Sequence, residues 1–185
     1  MAIPDAFIAV APIGELKAGW LEPLKGQIQK IYGYPARVVP LLDDVSFALD
    51  PEREQYHSTR ILEALADKAP EGAVKVLGIT RVDLFIPILT YVFGEAQLGG
   101  VSCVVSSFRL NVEEALGNSE MSFQERMIKE AIHELGHCFK LKHCQEASCI
   151  MHYCRSTEDV DRKSGSLCRY CRVLVGDERK RLAEG

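Results

Sequence analysis

The first 80 residues alternate short apolar runs with amphipathic stretches, and this pattern predicts strands that alternate with helices. Residues 7–11 are apolar and bounded by Pro4 and Pro12, as expected of a buried strand. Residues 16–32 then have the pattern of a helix that ends at Gly33. The chain therefore begins with a strand and a helix.

The alternation continues through two further strands. Residues 37–42 predict a second strand, and the Asp-rich stretch at residues 43–54 predicts an exposed loop. Residues 57–69 have the apolar spacing of a helix, and residues 74–80 predict a third strand. Strands alternating with helices pair in parallel through right-handed crossovers, with the helices packed on the sheet. The predicted fold class is therefore α/β (α+β), with a mixed, mostly parallel twisted sheet.

The pattern changes after this third strand. Residues 89–93 and 101–107 predict two strands joined by the Gly-rich stretch GEAQLGG, an antiparallel arrangement at the edge of the sheet. An open edge strand can pair with an extended peptide through main-chain hydrogen bonds. We therefore expect a substrate to lie along residues 89–93.

A long helix and a cysteine-rich segment complete the chain. Ser122 and Glu125 fit a capping box, which predicts a helix over residues 123–139. The last ten residues, GDERKRLAEG, predict a solvated charged tail. We predict one catalytic domain made of an N-terminal sheet-and-helix subdomain, residues 1–143, and a small cysteine-rich subdomain, residues 144–185.

Composition narrows the possible functions only a little. Of 185 residues, 47% are hydrophobic and 26% are charged, as in an average soluble protein. The formal charge is −4 and Lys and Arg are scattered, which argues against nucleic acid as a partner. No apolar run approaches the roughly 20 residues that cross a bilayer, and no basic segment with an apolar run after it marks a secretory signal. We expect a cytoplasmic protein whose seven cysteines are thiols or metal ligands.

The stretch IHELGHCFKLKHC, residues 132–144, carries the main candidate chemistry. His133 and His137 are four residues apart, so both rings project from one face of the helix and can share a zinc ion. Glu134 can then reach a water molecule beside the ion without binding the ion itself. His143 is the candidate third ligand, provided that the chain leaves the helix first. The alternative is that an HExxH pattern occurs in this helix by chance.

The cysteines near the C-terminus suggest a second metal site. Cys144, Cys149, Cys168 and Cys171 form two pairs with the layout of a closed, four-thiolate structural zinc site. The competing interpretations are four unconnected thiols, or a site in which Cys154 replaces one of the four. Cys103 and Cys138, with Cys154, are otherwise expected to be core or near-site thiols, a set that completes the seven cysteines.

These motifs resemble the metzincin clan of zinc metallopeptidases and, within it, the archaemetzincins. The family pattern is HExxHxxGxxHC, four residues, Cys, one residue, Met, seventeen residues and CxxC. In this chain the pattern runs from His133 to Cys171 with Met151 at the methionine position, and two differences occur. Lys140 replaces the turning glycine, and sixteen residues form the final spacer. A left-handed residue other than glycine costs about 1–2 kcal/mol, which a metal bond can offset.

The resemblance implies a metzincin-like zincin fold and two zinc ions, one catalytic and one structural. It implies that His133, His137 and His143 bind the catalytic ion, that Glu134 is the general acid/base, and that Met151 forms an apolar floor beneath the metal. It also implies that the four cysteines bind the structural ion. Tyr153, two residues after Met151, has the position of a tyrosine that stabilises the transition state in astacin-like metzincins. The alternative for Tyr153 is packing under the cleft.

The function expected on this basis is hydrolysis of peptide bonds by a zinc-activated water, with an aminopeptidase-like or short-peptide-restricted specificity. A second hypothesis is a non-enzymatic, zinc-stabilised binding protein in which Lys140 disturbs the turn and weakens the catalytic site. A third is a four-thiolate ribbon that binds nucleic acid. The third ranks lowest because acidic residues interleave with the basic ones beside the cysteines.

Overall fold

The computed structural model of the chain describes residues 6–15, 19, 21–111 and 120–184. The strands are β1 (Phe7–Pro12), β2 (Ala36–Val38), β3 (Leu49–Asp50), β4 (Gln55–His57), β5 (Ala73–Thr80), β6 (Leu84–Phe85), β7 (Gly94–Ala96) and β8 (Ser102–Ser106). The helices are α1 (Leu21–Tyr32), α2 (Ser58–Asp67), α3 (Glu120–Cys138), α4 (Thr157–Arg162) and α5 (Arg169–Glu184). None of the described helices is long and apolar enough to cross a membrane.

The central sheet is mixed and mostly parallel, as predicted. Its five strands lie in the order β2-β1-β5-β8-β7. β1 pairs in parallel with β2 and β5, and β5 pairs in parallel with β8, whereas β7 pairs with β8 in antiparallel fashion. β1 and β8 are buried along almost their whole length, which explains why they appear in the sequence as continuous apolar runs. The predicted fold class and its antiparallel edge are confirmed.

The position of the edge strand was predicted incorrectly. The strand is Gly94–Ala96, at the start of the stretch predicted to be the turn, rather than residues 89–93. The carbonyl oxygens of Leu89 and Thr90 accept hydrogen bonds from the Arg53 guanidinium group instead of from a strand. Because side chains satisfy this backbone, residues 89 and 90 remain in a loop outside the sheet.

A second, smaller sheet includes part of the region predicted to be an exposed loop, since β3 lies within residues 43–54. β3 pairs in antiparallel fashion with β4, which pairs in parallel with β6. A short 3-10 turn, Ser46–Ala48, precedes β3. Strands of two or three residues are too short to give a detectable alternation, so this sheet leaves no signal in the sequence.

Several helix and strand boundaries also differ from the prediction. The second strand ends at Val38, because Pro40 has no N–H to extend a ladder. α3 is already helical at Glu120, so Ser122 lies within it and is not its N-cap. α1 begins at Leu21, while residues 16–18 and 20 of the predicted helix lie outside the described part of the chain.

The charged C-terminus is part of a helix, α5, rather than an irregular tail, and most of its side chains are solvated as predicted. Cys171, Val175 and Glu178 are the buried residues of α5, at spacings of four and three. They therefore share one helix face. Only this narrow stripe of α5 is buried, and the rest of the helix surface is polar. The composition of the segment is therefore mostly charged, which is typical of solvent exposure.

Two hydrophobic cores lie on opposite faces of the sheet. Alternate residues of β1 face each side, so Ile8 and Val10 belong to one core and Ala9 and Ala11 to the other. The first core includes residues of α1, α3 and α5 together with Met151, Val160 and Leu167. The cysteine-rich segment therefore shares a core with the sheet and with α3, the helix that carries the candidate site.

Gly136 is a point of close packing between α3 and the cysteine-rich segment. An added Cβ at Gly136 would collide with the sulfur of Met151 and lie 3.4 Å from the Tyr32 hydroxyl oxygen. Gly176, in the interior of α5, has nothing within 4 Å of the same position. The two glycines form a matched pair in which only one is required by packing.

We expect Gly136→Ala to lower the free energy of unfolding by about 1–3 kcal/mol, because the methyl group overpacks the core against Met151. We expect Gly176→Ala to raise it by about 0.5–1 kcal/mol, because alanine favours the helix and meets no neighbour. Urea unfolding of both variants with zinc in excess measures the two changes. Equal changes in the two variants would contradict the assigned packing.

Candidate active site

α3 brings His133 and His137 together as the four-residue spacing predicted. Their Nε2 atoms are 3.1 Å apart, and His133 is almost fully buried. The Nδ1–H of His133 donates to the carbonyl oxygen of Ile150 at 2.9 Å, and that of His137 donates to the carbonyl oxygen of Leu141 at 2.7 Å. Since a carbonyl oxygen only accepts, both rings carry their proton on Nδ1 and direct an Nε2 lone pair into the site.

The chain leaves the helix at Lys140, the position at which the family has glycine. Lys140 has a φ of 63°, in the left-handed region. Its N–H donates to the carbonyl oxygen of His137 at 2.9 Å, and the N–H of Leu141 donates to that of Gly136 at 2.9 Å. These two hydrogen bonds form a Schellman motif, the helix ending that a left-handed residue allows. The predicted departure from the helix before His143 is confirmed.

The turn brings His143 to the other two histidines. The candidate ligand atoms of His133, His137 and His143 all lie within 4.8 Å of one another. Burial lowers the pKa of His133 well below its usual value, and burial also lowers the pKa values of His137 and His143. The imidazoles are therefore neutral at neutral pH, the form that binds metal. Three neutral imidazoles with converging lone pairs fit a zinc ion.

Glu134 lies beside this group on the wall of a cleft. It is 6% exposed, and burial, followed by the nearby Glu130 carboxylate, raises the pKa of Glu134 well above its usual value. A cation close to Glu134 would lower this pKa. An added Cβ on Gly94 would lie 2.7 Å from Glu134 Cγ and 2.5 Å from the carbonyl oxygen of Val104. Glycine at this position lets the edge strand lie directly against Glu134.

Met151 and Tyr153 occupy two different environments. Met151 is fully buried against Gly136, within a turn closed by the hydrogen bond from the His152 N–H to the carbonyl oxygen of Cys149 at 2.9 Å. Tyr153 is 45% exposed and lines the cleft, with its ring centroid 4.9 Å from that of His143. Tyr153 therefore has access to the space in front of the histidines, whereas Met151 does not.

The sulfur atoms of Cys144, Cys149, Cys168 and Cys171 lie within 4.8 Å of one another, a set that could hold a metal ion. Burial acts to raise the pKa of Cys168, but hydrogen bonds from Cys171 and the neighbouring thiols lower it to about 7. Cys154 is outside this group and donates to the carbonyl oxygen of His152 at 3.6 Å. The four thiols are thus a cluster rather than unconnected residues.

Two charged residues behind the histidines were missed in the sequence. Lys163 Nζ lies 2.6 Å from Glu130 Oε1 and 3.5 Å from His133 Nδ1. The Lys163 and Glu130 side chains are only 1% and 5% exposed. Glu130 precedes His133 by three residues and Glu134 by four, so helical spacing was a usable signal for it. Lys163 has no such signal, because it is thirty residues away from His133.

The cleft in front of the histidines has a volume of about 900 Å³. One wall contains the edge strand β7 and residues 89–93, and the other contains Tyr153 and Arg155. The Tyr91 hydroxyl donates to the carbonyl oxygen of Arg155 at 3.1 Å, which joins the two walls. Glu95 also lines the cleft and accepts hydrogen bonds from Ser58 at 2.5 Å and Thr59 at 3.0 Å.

The fold and the histidine group define a zinc metallopeptidase, and comparison with known proteins identifies the family. The chain belongs to peptidase family M54, whose family model matches residues 30–176. A curated archaemetzincin from Archaeoglobus fulgidus is 40% identical over 152 residues, covering 82% of this chain and 88% of the relative. The resemblance to archaemetzincins is confirmed.

Solved structures support the same assignment. The crystal structure of archaemetzincin from Methanopyrus kandleri matches with a TM-score of 0.84 at 30% identity, covering 96% of this chain and 98% of that one. A zinc-dependent peptidase from Methanocorpusculum labreanum matches with a TM-score of 0.81 at 26% identity, covering 91% and 99%. The non-enzymatic hypothesis loses its basis, because Lys140 makes the turn and the family is one of peptidases.

We expect Lys163→Met to lower the free energy of unfolding by about 3–5 kcal/mol, because it leaves the Glu130 carboxylate buried without its cation. The double variant Lys163→Met with Glu130→Gln should recover most of this loss, since no charge is then buried alone. Urea unfolding of the two variants gives the comparison. Equal losses in the single and double variants would show that the charge of Glu130 is not the cause.

Proposed function

We propose that this chain hydrolyses peptide bonds with His133, His137 and His143 as the ligands of a catalytic zinc ion and Glu134 as the general acid/base. The observation that carries the proposal is the convergence of three neutral imidazoles, two of them 3.1 Å apart at Nε2, beside a buried carboxylate on the same helix. Three protein ligands leave a fourth position for water or substrate, as in other catalytic zinc sites.

Glu134 performs the proton transfers in this proposal. Zinc in such a site polarises a carbonyl group and lowers the pKa of water. The Glu134 carboxylate accepts the proton of the attacking water and later returns it to the leaving amine. Burial raises the pKa of Glu134 and so favours uptake of the proton from water, while a cation beside it favours the carboxylate form needed first.

The edge of the sheet supplies the binding surface for the peptide. β7 is the last strand of the sheet and lines the cleft, so its free edge can hydrogen-bond to an extended peptide. Gly94 brings this edge against Glu134, which places a bound peptide backbone next to the proton-transfer group. The substrate therefore lies along Gly94–Ala96, and not along residues 89–93 as the sequence suggested.

The specificity we propose is for short peptides or free N-termini. The hydrogen bond between Tyr91 and Arg155 ties the two walls together, and this restricts how far a chain can extend through the cleft. Comparison of free and N-acetylated peptides of two to ten residues tests this specificity. Rapid cleavage in the middle of an unfolded protein would contradict it.

The remaining site residues have supporting roles in this proposal. Met151 forms the floor behind the histidines, and Tyr153, beside His143, contacts the reacting group from the open side of the cleft. The four clustered cysteines hold a second, structural zinc ion in residues 144–185, the subdomain that forms one wall. Residues 1–143 form the opposite wall and carry α3.

We expect Glu134→Gln to reduce peptide hydrolysis by about 10²–10⁴-fold, because the amide keeps the shape of the side chain but cannot accept the proton. Zinc content should stay the same. Glu125→Gln is the matched control, since Glu125 lies on the same helix and is exposed to solvent. Retained hydrolysis in Glu134→Gln would remove Glu134 from the mechanism.

We expect two zinc ions per purified chain, one in the histidine group and one in the cysteine group. His137→Gln should leave one ion and preserve the fold, because the thiolates still hold theirs. Elemental analysis with far-ultraviolet circular dichroism measures both quantities. A single ion in the wild-type protein would contradict the two-site proposal.

A further inference from the structure

Lys140 joins three parts of the structure that surround the turn to His143. Its backbone is left-handed, with a φ of 63°. Its side chain lies across Gly99, where an added Cβ would be 3.0 Å from Lys140 Cγ, and the Gly99 N–H donates to the carbonyl oxygen of His137 at 2.9 Å. Its Nζ lies 3.3 Å from Glu178 Oε2 on α5. The aliphatic part of the Lys140 side chain is thus held by Gly99 and its ammonium group by Glu178.

Glu178 is well placed to act as the anchor. It is 7% exposed, on the same face of α5 as Cys171 and Val175. Hydrogen bonds from Arg181, the largest cause, and from Lys140 lower the pKa of Glu178, so it is a carboxylate at neutral pH. The Glu178 side chain is 7% exposed, whereas its partners Lys140 and Arg181 are 49% and 56% exposed, so Glu178 is the buried member of this group.

We propose that Glu178, through its ion pair with Lys140, holds the left-handed turn that brings His143 to His133 and His137. Glu178 is then a positioning residue for the third ligand, and α5 sets the metal affinity of the histidine group. A glycine at position 140 would adopt the same φ without strain and would need no such anchor. The chain replaces the intrinsic freedom of glycine with a tertiary contact.

This inference rests on the proposed function, because it concerns the proposed catalytic metal site. It therefore calls for a measurement of metal affinity rather than of hydrolysis. Cobalt(II) distinguishes the two sites, since only thiolates give an intense charge-transfer band in the near ultraviolet, while the histidine group contributes weak visible bands. Titration of the metal-free full-length protein with cobalt in a competing chelator gives each affinity separately.

We expect Glu178→Gln and Lys140→Met to weaken cobalt binding at the histidine group by about tenfold each, equivalent to about 1.4 kcal/mol. The thiolate affinity should stay the same. Lys140→Met keeps the stem over Gly99 and removes only the charge, so it isolates the ion pair. Because the Lys140 side chain is half exposed, Lys140→Met should fold, and it can test the ion pair even if Glu178→Gln does not fold.

Rescue by glycine separates positioning from a general effect on stability. Lys140→Gly should bind cobalt at the histidine group at least as tightly as the wild type, and adding Glu178→Gln to it should have no further effect. Arg181→Gln is the matched control, because it removes the other partner of Glu178 and leaves the pair with Lys140. It should leave both affinities unchanged.

Three outcomes would overturn the inference. Wild-type affinity in Lys140→Met and Glu178→Gln would show that the ion pair does not hold the turn. An equal loss from Glu178→Gln with lysine or glycine at position 140 would show that Glu178 acts on the fold in general. Cobalt binding by the thiolates alone in the wild type would overturn both this inference and the proposed function, whereas the first two outcomes leave the proposed function intact.

Discussion

Two backbone carbonyl groups, those of Ile150 and Leu141, determine which nitrogen of His133 and His137 faces the cleft. Each accepts an Nδ1–H, so each ring directs its Nε2 lone pair toward the other. Neither carbonyl belongs to α3. Leu141 follows the left-handed turn, and Ile150 lies in the turn that buries Met151. The helix supplies the spacing of these candidate ligands, but the segments after the helix supply their orientation.

The environment of His133 combines low exposure with paired charge. An unpaired carboxylate or ammonium group behind His133 would be strongly unfavourable, and Glu130 and Lys163 avoid this by forming a pair at 2.6 Å. Because Lys163 comes from the C-terminal end of α4, the pair also fixes the cysteine-rich segment to α3. Burial lowers the pKa values of the imidazoles, and the Glu130–Lys163 pair holds the far wall of the cleft in place.

The two candidate metal groups are connected through the backbone and through helix α5. Cys144 directly follows His143 in the chain, and Cys171 lies on the buried face of α5 two turns before Glu178. A cluster that fixes the start of α5 thus also fixes the carboxylate paired with Lys140. In the proposed function, the cysteine group stabilises the geometry of the histidine group without taking part in its chemistry.

The edge strand shows where sequence patterns stop being informative. The apolar residues 89–93 had the composition of a strand, but the side chain of Arg53 takes the backbone acceptors at Leu89 and Thr90. The ladder forms instead at Gly94, where a missing side chain allows close approach to Glu134. The start of the edge strand depends on contacts with residues that are distant in sequence. No local sequence pattern encodes such contacts.

The sequence by itself determined the mostly parallel sheet with its antiparallel edge, the helix with His133, Glu134 and His137, and the grouping of four cysteines. These features depend on local spacing, which a helix period or a thiolate pattern records directly. Only the tertiary structure decided that Lys140 could adopt the turn of a glycine, that Lys163 pairs with Glu130, and that the charged C-terminus is a packed helix. Each of these depends on a contact between residues about thirty or more positions apart, and such contacts arise only when the core brings distant segments together.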